Sequence, residues 1–590
     1  MNGYYLHHKK KLTIYIGILM LLGAVMAGRL CYIMVAQSVT LTKKADELHE
    51  RERQVKAPRG IIYDRNGVEL AGNRSVCTIS VIHSQIEEEE KVIEVLTKYL
   101  DVPKERIAKL VKKRSSREKI KSNVDKALAE KIRAYQLAGV MIDEDYKRYY
   151  PFSSLASKVL GFTGGDNQGI VGLEVQYDDV LMGKPGYILT TTDAAGHRVE
   201  HTAEQRKEAV PGNDLITSLD YSIQMYAEQA AKKVQKEKEA KNVSVIVMNP
   251  QNGEIYACVN TPEYDLNDPF TLTTSADAVS TEKKQEQLNQ MWRNTIVNDT
   301  YEPGSTFKII TATAALEEGV VTPEDTFVCP GFKIVEDRKI RCHKVGGHGT
   351  ETFKQGVMNS CNPVFMTVGE RVGAKNMYRY YKKLGLFEKT GIDVPGEAGS
   401  IMHKLEDVKA VELATMSFGQ SFQITPFQLL RAAAAVVNGG TLITPHFGVA
   451  VEDSVSGKRT KLQFPTKKGA VSKKTSETMK ELLDAVVSEG SGKNAAVPGY
   501  AIGGKTATSE KLPRGNGRYI SSFLGFARSD DPTVMALLLI NEPTGIYYGG
   551  TIAAPVVGDL FKNILPYLGI EQTKPVTEKE TKETSLIITD

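Results

Sequence analysis

The sequence has no surplus of charge of either sign: 75 lysines and arginines stand against 71 aspartates and glutamates, a formal +4 over 590 residues. A balance this close lacks the basic field with which nucleic-acid binders collect phosphates, so no nucleic-acid partner is expected. Cysteine is scarce, with six in the whole chain, and a fold stapled by disulfides is excluded. The composition is not that of a disordered chain either, since 41% hydrophobic and 25% charged residues are globular proportions. The length exceeds one ordinary domain, so at least two are expected.

The run from Leu12 to Gly28 carries no charge, and apolar character resumes after Arg29 through Ala36. With Arg29 snorkelling toward an interface, it suffices to cross a bilayer, which needs ~20 apolar residues. Lys9, Lys10 and Lys11 precede it, and positive charge tends to stay in the cytoplasm. The expected layout is a cytoplasmic tail over 1–11, a single transmembrane anchor over 12–36 and an extracytoplasmic remainder. A signal peptide cleaved after Val25-Met26-Ala27 is the alternative; the length of the run favours an uncleaved anchor.

Residues 37–55 are polar and charged and read as a stalk. Asn66-Gly67 between short apolar pieces signals a hairpin. Residues 85–140 carry helical periodicity with dense charge and no site chemistry. Asp220 is placed to cap a helix starting at Tyr221. Near Val243 a second regime begins: VSVIVMNP and GEIYACVN read as two strands around a Pro-Gln-Asn-Gly turn, and YISSFLGFARSDDPTVMALLLIN as two more around Asp-Asp-Pro. Strands at both ends with helices between them predict an α+β domain with an antiparallel sheet. From about Glu571 the chain reads as a charged, disordered tail.

Cys329 and Cys342 bracket two strand-like runs around a charged turn. They read as two reduced thiols, as a disulfide formed outside the cytoplasm, or, with His343 and His348 near, as metal ligands. Their spacing fits no compact metal pattern, so no metal is expected.

The chemistry-bearing stretch is YEPGSTFKIITATAALEEG, from Tyr301. Ser305 stands where a Pro-Gly turn gives way to an apolar helix, and Lys308, three residues on, shares its face. A helix N-terminus stabilises a developing alkoxide, and burial beside it lowers a lysine's pKa so that it can act as a base. Such a pair supports acyl transfer without histidine. Ser-x-x-Lys also occurs at Ser116 and Ser280, in charged segments that no core would surround, so the pattern alone proves little.

Two further motifs follow: Ser360 and Asn362 in MNSCNPVF, and Lys505, Thr506 and Thr508 in IGGKTATSE. In this order the three resemble the active-site motifs of the penicillin-binding transpeptidase and serine β-lactamase superfamily. The usual third motif, Lys-Thr-Gly, also occurs literally at Lys389-Thr390-Gly391, but in a turn-rich loop. The strand context belongs to Lys505, so Lys505-Thr506-Ala507 is the working motif, with Ala507 in place of the glycine that would let a β-lactam approach most closely. RGIIYDRNG, RYYP at Arg148, GIVGLE at Gly169, TGIDVPGE and the run from Ser417 through Gly440 extend the resemblance to class B, monofunctional penicillin-binding proteins over roughly residues 10–568.

The resemblance implies a pedestal, or dimerisation-type, domain over 37–215 with the stalk, a transpeptidase domain over 216–568 and a tail over 569–590. It further implies D,D-transpeptidation of peptidoglycan stem peptides through a Ser305 acyl-enzyme, with no cofactor. Lys308 would take the serine proton, Ser360 would relay one, and Asn362 would orient Lys308 and the peptide. Lys505, with Thr506 and Thr508, would face the substrate carboxylate, and the backbone N–H groups of Ser305 and Thr508 would form the oxyanion hole. β-Lactams would acylate the same serine, and a membrane glycan polymerase is an implied partner. A D,D-carboxypeptidase would use the same residues with water as acceptor. A penicillin-binding sensor would need a cytoplasmic module, and only about eleven residues precede the anchor. Septation, elongation and spore-cortex roles stay open.

Overall fold

Five strands form the central sheet, every neighbouring pair antiparallel: in spatial order Ile255–Asn260, Asn242–Met248, Val534–Asn541, Tyr519–Ala527 and Ile502–Glu510. Ile255–Asn260, Asn242–Met248 and Val534–Asn541 are almost continuously apolar because helices cover both faces, so neither set of alternating side chains meets water, whereas the edge strand Ile502–Glu510 is polar. Val245, Val247, Ala536 and Leu538 pack on one face with Ile223, Ala227 and Ala231 of the helix Tyr221–Glu237 and with Leu560, Phe561 and Ile564 of the helix Ala554–Tyr567. Ile246, Met248, Leu537 and Leu539 belong to the core on the other face. That core is built on the helices Lys308–Glu317, Pro426–Val437 and Lys473–Ser488. Every residue of Pro426–Val437 is buried, and the helix starts on a capping box between Thr425 and Gln428. The two hairpins and the Asp220 cap, which accepts from Ser222 N and Ile223 N, stand as the sequence predicts.

The computed structural model describes residues 2–38, 41, 50–115, 117–191, 205–273, 280–528 and 531–575. Most of the expected stalk (42–49), Ser116 and the tail from residue 576 lie outside the described residues. Packing divides the chain into two units. The larger comprises Arg59–Asn73, Arg148–Met182 and Pro211–Asp590, and the smaller Met1–Pro58, Arg74–Lys147 and Gly183–Val210. The motifs expected in the pedestal, at 59–67, 148–151 and 169–174, therefore pack within the larger unit. Charge joins them to one another, Arg59 Nε donating to Glu174 Oε2 at 2.6 Å, Arg148 Nε to Glu174 Oε1 at 2.6 Å and Tyr150 OH to the same oxygen at 3.2 Å, while Tyr150 N donates to Asn267 Oδ1 at 3.0 Å and Tyr177 OH to Asp393 Oδ2 at 2.6 Å in the rest of that unit. Arg59 and Glu174 are fully buried, so neither charge is tolerable without the other.

The smaller unit has its own core, built from the helices Glu89–Tyr99, Lys104–Val111 and Lys126–Arg133 against extended segments. One of these, Glu118–Asp125, is a strand inside a region whose sequence reads as helical. Its Ile120 and Val124 are buried with this core, and pairing with Val76–Val81 overrides the weak local signal of EKIKSNVD. Among the described residues one helix, within Lys9–Ala36, is long and apolar enough to cross a membrane. It fits a single-pass anchor.

Candidate active site

Ser305 lies in a single 3₁₀ turn, Gly304–Phe307, which runs directly into the helix beginning at Lys308. The sequence places the serine at an α-helix start; the structure inserts one tighter turn. Gly304 makes it, with φ +57, and a Cβ there would stand 2.1 Å from Ser509 Oγ and 3.7 Å from Ala507 Cβ. The Ser305 turn thus presses on the strand Ile502–Glu510. Ala507 is buried beside that contact, and it is Ser509 Oγ that leaves no room for a Cβ at residue 304.

Lys308 is 1% exposed. Its Nζ donates to Ser360 O at 2.7 Å, to Ser360 Oγ at 3.2 Å and to Asn362 Oδ1 at 2.8 Å. Desolvation lowers its pKa to about 8, against weaker opposing contributions from Cys361, Cys342 and Glu351. Ser360 holds φ +53, an uncommon conformation for a residue with a side chain, and so turns both its oxygens toward the amine. Asn362 opens the helix Asn362–Val372 with proline next to it, and its Nδ2 donates to Arg341 O at 3.1 Å.

Lys505, on the edge strand, is 0% exposed. Burial first, and the nearby charge of Lys308 second, push its pKa well below the usual lysine value. Its Nζ donates to Thr506 O at 3.3 Å. Two buried amines without a carboxylate between them make a site that favours an anion. Thr506 Oγ1 is 3.2 Å from Ser491 Oγ, and Thr508 Oγ1 accepts from Gly549 N at 3.0 Å. Ser491, Ser509 and Gly549 are additions to the site that sequence reading missed: Ser491 sits in a Gly-rich loop, Ser509 ends the strand motif and Gly549 starts a short helix, and none carries a distinguishing pattern.

The other copies of the motif letters have structural duties. Ser280 caps the helix Thr281–Trp292. Thr390 N and Oγ1 both donate to Glu397 Oε1, at 2.7 and 2.6 Å, within a loop. Cys329 and Cys342 are free thiols here, where the sequence left a disulfide open. They converge with His348 and with Cys361, the middle residue of Ser360-Cys361-Asn362.

The penicillin-binding protein transpeptidase domain family matches residues 243–562, and the penicillin-binding protein dimerisation domain family matches residues 54–217. The chain is 39% identical over 561 residues to stage V sporulation protein D of Bacillus subtilis (strain 168), covering 94% of this chain and 85% of that one. It is 30% identical over 580 residues to a probable peptidoglycan D,D-transpeptidase PenA of Neisseria meningitidis (serogroup A), covering 96% and 95%. Among solved structures, penicillin binding protein 2X from Streptococcus thermophilus superposes with a TM-score of 0.73 at 23% identity, over 88% of this chain and 81% of that one, which supports the fold. The chain belongs to the class B penicillin-binding protein family of serine-type D,D-transpeptidases.

Proposed function

We propose that this chain crosslinks peptidoglycan by transferring a stem peptide through an ester on Ser305. The observation that carries the reading is the Lys308 amine, buried and held by Ser360 and Asn362 one turn from the serine. Ser305 Oγ attacks the carbonyl between two terminal D-alanines while Lys308 Nζ takes its proton. Charge developing on the carbonyl oxygen is met by the N–H groups of Ser305 and Thr508. The C–N bond breaks, and Lys308 returns a proton through Ser360 to the departing D-alanine amine. An amine of a neighbouring stem then attacks the ester, releasing Ser305 and completing an amide crosslink. Lys505 binds the substrate carboxylate, with Thr506 and Thr508 beside it. A β-lactam enters by the same route and stays as an ester.

The Lys9–Lys11 cluster supports an N-terminus on the cytoplasmic side, with catalysis outside. A membrane glycan polymerase, engaged through the anchor and the pedestal, would supply the strands to be joined. Among septation, elongation and spore roles, 39% identity to a relative named for a sporulation stage favours the last. The test is intact mass of the full chain in detergent after benzylpenicillin, beside Ser305→Ala. A penicilloyl adduct on the parent alone supports the reading; adducts on both, or on neither, refute it.

A further inference from the structure

Three separate segments bring sulfur to one point behind the Ser360–Asn362 turn. Cys329 ends the strand Thr326–Cys329, Cys342 follows the strand Arg338–Arg341, and Cys361 caps the helix Asn362–Val372. His348 joins them, just before the strand Gly349–Thr352. One ligand atom from each of the four lies within 4.8 Å of all the others, and Cys342 Sγ is 3.7 Å from His348 Nδ1. Cys258, buried in the same core, serves as a small apolar group, and what sets the other three apart is their meeting with one another and with His348.

The backbone is shaped for the convergence. Gly331 and Gly347 hold φ +95 and +78; a Cβ on Gly331 would fall 2.3 Å from Val345 O, and one on Gly347 2.2 Å from Cys329 O. Only glycines let these two loops interlock so closely. Cys342 N donates to Gly331 O at 2.8 Å, tying the second cysteine to the turn after the first.

We propose that Cys329, Cys342, His348 and Cys361 bind one zinc ion, which fixes the turn that holds Lys308. Three soft thiolates and an imidazole are the donors of a closed tetrahedral zinc site, whose Zn–S bonds of ~2.3 Å set the sulfurs about 3.8 Å apart. The present spread reaches that by a contraction of about 1 Å. Four protein ligands leave no open position, so the ion's role is structural and not hydrolytic. Binding replaces thiol protons by the metal, releasing them to solvent. The link to catalysis is short: Cys361 stands between Ser360 and Asn362, both bonded to Lys308, and Asn362 Nδ2 donates to the carbonyl of Arg341, the neighbour of Cys342.

The test is zinc content by mass spectrometry of the full chain, purified in detergent under reductant with no metal added. About one zinc per chain is expected, falling below about a tenth in Cys329→Ser and His348→Ala and unchanged in His343→Ala, whose residue is the exposed neighbour. Should those variants fail to fold, cobalt added to the stripped parent gives an independent readout, with thiolate-to-metal charge transfer and intense tetrahedral d–d bands. Stripping the metal is expected to lower the melting temperature and slow penicillin acylation together. Zinc retained in both ligand variants, or no zinc or cobalt taken up under reductant, overturns the proposal. So does a disulfide among these cysteines in metal-free chain isolated without reductant.

Discussion

Lys308 Nζ donates to Asn362 Oδ1 at 2.8 Å, joining the helix Lys308–Glu317 to the helix Asn362–Val372 at the amine itself. A lysine buried to this degree keeps its direction because Ser360 and Asn362, at the start of the second helix, fix acceptors for it. The orientation of the amine is therefore a property of two elements far apart in the chain.

Asn362→Ala should slow acylation by penicillin by ~100-fold, the scale of a misplaced acid–base group, with little change in melting temperature. Stopped-flow acylation beside a thermal scan separates the two. A rate within about threefold of the parent would remove Asn362 from the mechanism.

Acylation should depend on pH through Lys308, whose pKa is lowered to about 8. The neutral amine is the base, so the rate rises with pH below about 8, only about a tenth of the chain being competent at pH 7, and levels above it. Lys505 must be charged to hold a carboxylate. Its pKa is depressed as well, so the alkaline fall should come below the usual lysine range. A rate flat from pH 6 to 9 would contradict this assignment.

Lys505→Met should reduce acylation by carboxylate-bearing β-lactams about 10- to 100-fold, the weight of one hydrogen bond to a charged group. The fold should not weaken, because an apolar side chain of similar length replaces a buried charge without a counterion. Loss of both activity and melting temperature would mean that Lys505 is needed for structure.

Glu174→Ala strands the buried guanidinium of Arg148 and leaves Asp178 as the carboxylate partner of Arg59. It should cost ~3–5 kcal/mol, read as a lower urea midpoint, while the folded fraction acylates at the parental rate. An unchanged midpoint would mean that water or a rearranged partner satisfies Arg148.

Much of this was legible locally. The Ser305 turn, the Asp220 cap and the paired strands around Pro-Gln-Asn-Gly and Asp-Asp-Pro are short-range features, set by turn chemistry and by apolar runs too long for a surface. Choosing Lys505 over Lys389 also rested on local context, the difference between a strand and a turn-rich loop, and the structure places Lys505 on the edge strand and Thr390 in a loop closed by Glu397. The segments at 59–73 and 148–182 were harder. They precede the catalytic region in the chain, and only tertiary contacts such as Tyr150 N to Asn267 Oδ1, Ala156 N to Glu228 Oε1 and Tyr177 OH to Asp393 Oδ2 show that they pack with it.

By itself the sequence determined the long apolar N-terminal helix, the order of the three motifs and the strand that carries the last of them, because each is written in composition or in spacing of a few residues. Tertiary structure alone decided that Ser360 and Asn362 grip Lys308 and that Cys361 meets Cys329, Cys342 and His348. Such meetings depend on how distant segments pack, and no local period records where two remote loops will touch.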